Sequence, residues 1–457
     1  MTVPATPPSD RATALAFHEA LAALGARGRF GIRMGLGRTR ALLKALGDPQ
    51  LAVRGALVAG TNGKGSVLAL AGSALRAAGL RVGETPKPHL VTYRERIAIG
   101  GRPIGVDDFT RHVEAVLAVA DRVARRHGDP TEFELLTAVV FRHFAEADLD
   151  VALVEVGLGG RLDATHAWDG GVAVVTNVDL DHTDRLGPTV SAIAREKAAI
   201  IERGDIAVTG ATGEALDIIG RRARRMAAPL TVVSPATLLG WDRDGLDVDI
   251  PGLGPTRVGL RGRHQAANVA VADATLDALA DAGIAMVPPE ARRLGYATAV
   301  WPGRLELIEA GEARSVLLDG AHNPAGAAAL AQALDDLRPH LSPGPLTLVV
   351  ASMADKDVDG IVEALGTAAA LHGASVIATS VDAARAMPAA DLAERWRRVP
   401  GLASVSAIPD SIAAVDTALA APGTTVVAGS LYLVGAVRAH LIDDPDLRDP
   451  DPGATIA

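Results

Sequence analysis

Residues 56–80, ALVAGTNGKGSVLALAGSALRAAGL, run an apolar stretch into a glycine-rich turn and then into a helical pattern. Gly60, Gly63 and Gly65 allow a tight backbone turn that aims its N–H groups, those of Thr61 and Asn62 among them, at phosphate oxygens. The helix that follows presents its positive end, and Lys64 adds a full charge close to the Ser66 hydroxyl. This is the layout of a phosphate-binding loop. The strict string G-x-x-x-x-G-K-[ST] is not met, because Val58 holds the first glycine position and Gly65 follows Lys64.

Further segments carry groups suited to the same chemistry. VALVEVGLGGRLDATH, residues 151–166, delivers Glu155 to the end of an apolar run. Ligands of open α/β sheets gather beyond the carboxyl ends of the strands, so Glu155 should converge with the loop and offer a hard oxygen donor to Mg²⁺. The structural alternative is an ion pair with Arg161. VAVVTNVDLDHTDRLG ends in Asp179, Asp181, His182 and Asp184; imidazole with carboxylates can hold a divalent metal or move protons, and His182 falls one strand along from Glu155. In SAIAREKAAIIERGD, Lys197 lies near the inward face of an amphipathic helix and by itself reads as a salt-bridged or snorkelling lysine. Later come His264, Gln265, Asn268, Arg304, Asp319, His322 and Asn323. Asn and Gln can satisfy an adenine edge and Arg forks onto phosphate or carboxylate, while caps and turns explain any one of them equally well.

Elements of two kinds must position these groups. Short apolar runs at 56–59, 151–156, 172–176, 206–209, 316–318, 346–351, 375–379 and 425–428 read as buried strands. Helical patterns at 65–78, 109–126, 133–147, 191–202, 264–282 and 324–337 alternate with them, which is the rhythm of βαβ units and an α/β fold. Residues 231–262 are broken by Gly, Pro and Asp and suit antiparallel hairpins, a β-rich flap. A boundary near residue 299 separates a domain of residues 1–298 from one of 299–440, and the acidic, Pro-rich stretch 441–457 reads as a disordered tail.

Composition narrows the function. The chain has 457 residues, 45 Lys+Arg against 54 Asp+Glu, and no cysteine. At about 150 residues per domain this length fits two or three domains. Without cysteine there is no disulfide framework, zinc–thiolate site, Fe–S cluster or thiol nucleophile. A net charge of −9 argues against nucleic acid or an anionic membrane as partner. No stretch reaches the ~18 apolar residues of a membrane span and the first residues lack a signal-peptide layout, so cytoplasm is the expected compartment.

In order along the chain, FGIRMGLGR, VAGTNGKGSV, KPHLVTYRERI, TEFELLTA, EVGLGGRLDATH, NVDLDHTDRLG, IAREKAAII, GRHQAANVAVA, WPGRLE, LDGAHNP and GSLYLVG resemble the folylpolyglutamate synthase and dihydrofolate synthase family of the Mur ligase superfamily. The resemblance implies a P-loop Mur-ligase-like domain with a parallel sheet and a smaller Rossmann-like C-terminal domain. It implies an ATP-dependent amide ligase, monomeric, that adds L-glutamate to dihydropteroate or a folate through an acyl phosphate. On that resemblance Gly60 to Ser66 hold the phosphates, with Lys64 on the β/γ pair. Glu155, His182 and Ser66 serve Mg²⁺, and Lys197, carbamylated by CO₂, serves a second Mg²⁺. Asn268, Arg304, Asp319 and His322 contact ATP. The pterin side is expected at Arg33, Met34, Gly35 and Leu36, at Thr131, Glu132, Phe133 and Glu134, and at Arg161, Leu162 and Asp163. Two positions depart from the family string: Lys87 stands where Ser is commoner, and His166 where Asn is more usual. A protonated lysine cannot ligate a metal, so either a water takes that place or Lys87 contacts a phosphate oxygen. Two other readings remain open here, a muramyl-peptide ligase, against which GLGGRLDATH speaks, and a nucleotide-dependent switch, which would leave Arg304 and Asp319 without a purpose.

Overall fold

Apolar runs with no polar partner inside them need cover on both faces, which parallel strands flanked by helices provide. In the computed structural model, which describes residues 11–28, 34–311, 314–383 and 385–451, those runs form two such sheets. The first comprises β1 (Gly55–Ala59), β2 (Val82–Thr85), β3 (Ala98–Ile99), β4 (Arg102–Pro103), β5 (Val151–Glu155), β6 (Gly171–Val175), β7 (Ile206–Thr209) and β8 (Leu230–Val232), in the order β4-β3-β2-β5-β1-β6-β7-β8. It is parallel from β2 to β8, with a short antiparallel edge at β3 and β4. β1 lies between β5 and β6. The chain therefore leaves the sheet's centre in opposite directions, and a crevice opens above the three carboxyl ends.

Helices cover both faces. One side packs Phe109, Phe141 and Trp168 in its core, and Trp168 Nε1 donates to the Val53 carbonyl at 3.0 Å. The other side packs helix Lys64–Ala77 against helix Gln265–Asp281 and the buried Tyr296, whose hydroxyl donates to Asp273 at 2.8 Å. β9 (Thr237–Asp242), β10 (Gly245–Ile250) and β11 (Gly254–Val258) form an antiparallel three-stranded sheet. The flap expected over 231–262 thus begins later, because residues 230–232 pair with β7 as the edge of the first sheet.

The second sheet comprises β12 (Glu306–Glu309), β13 (Arg314–Leu318), β14 (Thr347–Val350), β15 (Ser375–Ala378), β16 (Ser404–Ala407) and β17 (Gly423–Ala428), ordered β12-β13-β17-β14-β15-β16. All its pairs are parallel except β12–β13. The two halves touch closely. A Cβ on Gly435, in helix Leu431–Leu441, would stand 1.9 Å from the Leu90 carbonyl oxygen, and Arg263 forms two hydrogen bonds with Asp336.

The acidic end is not the free tail its composition suggests. Asp449 accepts from Thr92 Oγ1 at 2.6 Å and from Arg94 Nε at 3.1 Å, Arg94 Nη2 donates to the Arg448 carbonyl at 3.0 Å, and His18 Nε2 meets the Pro450 carbonyl at 2.7 Å. Composition misleads here because a buried arginine 355 residues upstream supplies the partner. Residues 452–457 lie outside the described residues.

Candidate active site

The phosphate-loop segment bridges β1 and helix Lys64–Ala77, and neighbouring loops hold it from both sides. Thr176 Oγ1 donates to the Asn62 carbonyl at 2.6 Å, the Asn62 N–H donates to Asn177 Oδ1 at 2.8 Å, and Thr61 Oγ1 bonds the Asp179 backbone at both N (2.9 Å) and O (3.1 Å). Gly63 caps the helix at φ +82°, and a Cβ there would lie 2.3 Å from Asn268 Oδ1. Only glycine tolerates both the angle and the approach. The loop is thus built before any ligand arrives.

Above it lies a cavity of about 820 Å³ lined by all seven residues Gly60 to Ser66, by Glu155, His182 and Lys197, by Asn268 and by Arg304, Asp319 and His322 of the second half. Lys64 folds back on its own loop, donating to the carbonyls of Gly60 (3.0 Å) and Thr61 (3.2 Å), with Glu155 Oε1 at 3.9 Å. Lys197 is buried and donates to the Gly60 carbonyl at 2.8 Å; it makes no salt bridge among the described residues. Burial, reinforced by the charge of Lys64, lowers its pKa to about 7. Near neutral pH a large fraction of Lys197 is therefore free amine.

Glu155 does not pair with Arg161. Arg161 instead turns outward and binds Glu196 Oε1 at 2.9 Å, half-exposed and off the cavity wall, so its expected place on the substrate side is not where the structure puts it. Burial pushes the Glu155 pKa up, while Lys64 and the Lys87 N–H hold it down. Its Oε2 accepts that N–H at 2.8 Å, and among the described residues Oε1 meets only the distant Lys64. Among the described residues no three His, Asp or Glu close into a metal site on their own. That suits a Mg²⁺ ion, whose shell is commonly completed by phosphate oxygens and water around one or two protein donors. Glu155 with one open oxygen, the Ser66 hydroxyl and His182 fit that description. His182 sits at φ +50° beside Asp181, and burial lowers its pKa, keeping the imidazole available as a donor.

The second half contributes more than the cavity wall. Both carboxylate oxygens of Asp319 accept backbone N–H bonds at 2.9 Å, from Leu305 and Ala321, fixing the turns that carry Arg304 and His322. Burial lowers the pKa values of His322 and His264 to about 4, so both are neutral under physiological conditions. Asn323 Nδ2 donates to Asp181 Oδ2 at 3.2 Å, and Lys356 approaches Asp181 at 3.7 Å. These contacts join the two halves at the cavity rim.

At the other end the cavity is lined by Met34, Thr131, Glu132, Phe133, Glu134, Leu162 and Asp163. Three of these are occupied structurally. Thr131 and Glu134 form a reciprocal cap of helix Glu132–Glu146, and Glu134 also binds Arg38 in a bidentate pair at 2.9–3.0 Å. Asp163 ties its own loop through the Leu158 N–H (2.8 Å) and Thr165 (2.6 Å). Gly35 and Leu36 do not line the cavity, since the chain there turns into helix Gly37–Ala45; Arg33 lies outside the described residues.

Sequence reasoning passed over Arg96. It lines the same end, donates Nε to His89 Nδ1 at 2.8 Å and stacks 5.0 Å from the Tyr93 ring centre. Its only sequence signal was a charged run inside a loop.

Residues 58–276 match the Mur ligase middle domain family, and residues 303–431 the Mur ligase glutamate ligase domain. A dihydrofolate synthase/folylpolyglutamate synthase of Bacillus subtilis is 33% identical over 93% of this chain and 99% of its own. Escherichia coli FolC, solved in complex with DHPP and ADP, superposes with a TM-score of 0.77 at 30% identity, covering 92% of this chain and 97% of that one. A bifunctional folylpolyglutamate synthase/dihydrofolate synthase from Yersinia pestis, complexed with AMPPNP and a Mn ion, gives 0.77 at 30% identity over 96% and 100%.

Proposed function

The chain belongs to the dihydrofolate synthase/folylpolyglutamate synthase family of Mur ligases, and we propose that it carries out that family's reaction, ATP-dependent ligation of L-glutamate to the carboxylate of dihydropteroate or a reduced folate. A single cavity that joins a preformed phosphate loop, buried Glu155 and two lysines to Arg304 and Asp319 of the second half is the observation that carries this reading. A nucleotide switch has no need of that second half, and the match at 303–431 is to a glutamate ligase domain.

A carboxylate is a poor electrophile and must be activated. One of its oxygens attacks the γ-phosphorus of ATP, the bond to the bridging oxygen breaks, and ADP departs with the electron pair. The amine of glutamate then attacks the carbonyl carbon of the acyl phosphate, phosphate leaves, and the nitrogen gives up a proton. Phosphoryl transfer depends on alignment and charge neutralisation more than on covalent help. The N–H groups of residues 60–66 hold the phosphates, and Lys64 exchanges its two loop carbonyls for phosphate oxygens. Arg304 approaches the phosphates from the other half, Asn268 and His322 border the nucleotide, and Asp319 keeps Arg304's turn in place. Glu155, Ser66 and His182 would hold a Mg²⁺ ion, which supplies charge neutralisation at the phosphates.

Lys197, with a free-amine fraction near pH 7 and buried beside the loop, is suited to bond its nitrogen to the carbon of CO₂ and release one N–H proton to solvent, becoming a carbamate. That change replaces a cation with anionic oxygens fit for a second Mg²⁺. The acceptor lies along Phe133, Met34, Leu162 and Asp163. Purified protein given ATP, Mg²⁺ and glutamate should release ADP only when dihydropteroate or tetrahydrofolate is also present. A response to a muramyl peptide alone, or nucleotide hydrolysis indifferent to every acceptor, would overturn the reading.

A further inference from the structure

The cavity wall between the phosphate loop and Phe133 holds a cation to which the reaction so far assigns no task. Lys87 follows β2 and reaches across to β5: its backbone N–H donates to Glu155 Oε2 at 2.8 Å and its ammonium to the Glu155 backbone carbonyl. The ammonium sits 5.0 Å from the centre of the Phe133 ring. Among the described residues no Asp or Glu oxygen comes within 4.0 Å of it. With one of its three protons on the Glu155 carbonyl, two remain to meet a ligand in the cavity. Among the described residues it forms no hydrogen bond with the phosphate loop, and the charge of Lys64 there repels it.

We propose that Lys87 binds the acceptor's carboxylate and then the acyl phosphate made from it. The proposal rests on the ligase reading and deepens it. Phosphoryl transfer brings two anions together, the acceptor carboxylate and the triphosphate. Lys64 belongs to the phosphate side, and a second fixed cation on the acceptor side removes the repulsion between them. The Phe133 face next to Lys87 suits a flat aromatic acceptor whose carboxylate ends at the ammonium. The carboxylate oxygen forms its bond to phosphorus as the bond to ADP breaks, and no proton moves. Lys87 therefore stays an ammonium throughout and acts by charge and hydrogen bonding alone.

Lys87→Met removes the ammonium and leaves the backbone bond to Glu155 in place. The test is positional isotope exchange in bridge-labelled ATP, followed without glutamate as the acceptor is titrated. Steady-state constants are measured alongside, for the wild type, Lys87→Met and Lys87→Arg. Loss of a hydrogen bond to a charged group predicts that the acceptor concentration for half-maximal exchange rises roughly ten- to a hundredfold in Lys87→Met. KM for ATP should stay within about twofold, and Lys87→Arg should recover most of the loss. A purely structural lysine would change ATP and acceptor constants together, and that result would overturn the assignment. Exchange in the wild type with an unchanged acceptor dependence in Lys87→Met would overturn it alone, whereas no acceptor-dependent exchange in the wild type would overturn the ligase reading as well.

Discussion

Replacing Lys197 by Met should make the ligand-free protein more stable while abolishing its activity. The ordinary lysine value of 10.5 falls to about 7 in the folded chain. Because the folded value is the lower one, the unfolded chain holds one more proton between those two pH values, and stability rises with pH across that window. At 1.36 kcal/mol per unit the lowered pKa destabilises the fold by about 4 kcal/mol at pH 7 and about 2 kcal/mol at pH 9. Against this stands the bond from Nζ to the Gly60 carbonyl, worth about 1 kcal/mol, with a further penalty for leaving that carbonyl unpaired. Lys197→Met should therefore gain roughly 2 kcal/mol at pH 7 and little or nothing at pH 9. The assay is denaturant unfolding of wild type and variant at both pH values, in buffer free of nucleotide, divalent metal and CO₂. The quantity of interest is the change in their difference, about 2 kcal/mol between pH 7 and 9, because every contribution that does not titrate cancels. A difference that stays constant across that range would mean that Lys197 keeps its proton in the folded protein, and the free amine required for carbamate formation would be gone.

Other perturbations probe separate parts of the architecture. Gly63→Ala places a Cβ 2.3 Å from Asn268 Oδ1 at φ +82°; it should destabilise the fold by about 1–3 kcal/mol and raise KM for ATP, measured by thermal unfolding and by nucleotide titration. Glu155→Gln keeps the shape but removes the open carboxylate, and should shift the Mg²⁺ titration of ADP release at least about tenfold higher; an unchanged titration would count against Glu155 as a ligand. Gly435→Val puts a side chain 1.9 Å from the Leu90 carbonyl and should force the two halves apart, enlarging the radius of gyration in solution scattering. Arg94→Ala removes the anchor of Asp449 and of the Arg448 carbonyl, at about 2–3 kcal/mol; limited proteolysis should then cut within residues 442–451.

The fold was largely legible because buried parallel strands announce themselves as unbroken apolar runs. Val151–Glu155 and Gly423–Ala428 are buried along their whole length, and residues 151–156 and 425–428 read as strands for that reason. β16, with the sequence SVSA and a mostly exposed edge, offered no such signal, and β3 and β4 at two residues each were too short to show a period. The phosphate loop and Glu155 were legible because strand ends in an open sheet point to one crevice. Thr131 and Glu134 illustrate the converse. Their T-x-x-E spacing is that of a helix cap, and the structure uses them so. The Arg94–Asp449 anchor escaped notice because its partners, 355 residues apart, are brought close only by the tertiary fold.

The central claim is that the γ-phosphoryl group of ATP passes to the acceptor's own carboxylate before glutamate arrives. The most direct measurement uses dihydropteroate or folate labelled with oxygen-18 in that carboxylate, with mass spectrometry of the phosphate and of the glutamyl product after a single turnover. The account predicts one labelled oxygen in the phosphate and one retained at the new amide. Unlabelled phosphate accompanying formation of the glutamyl product would contradict it.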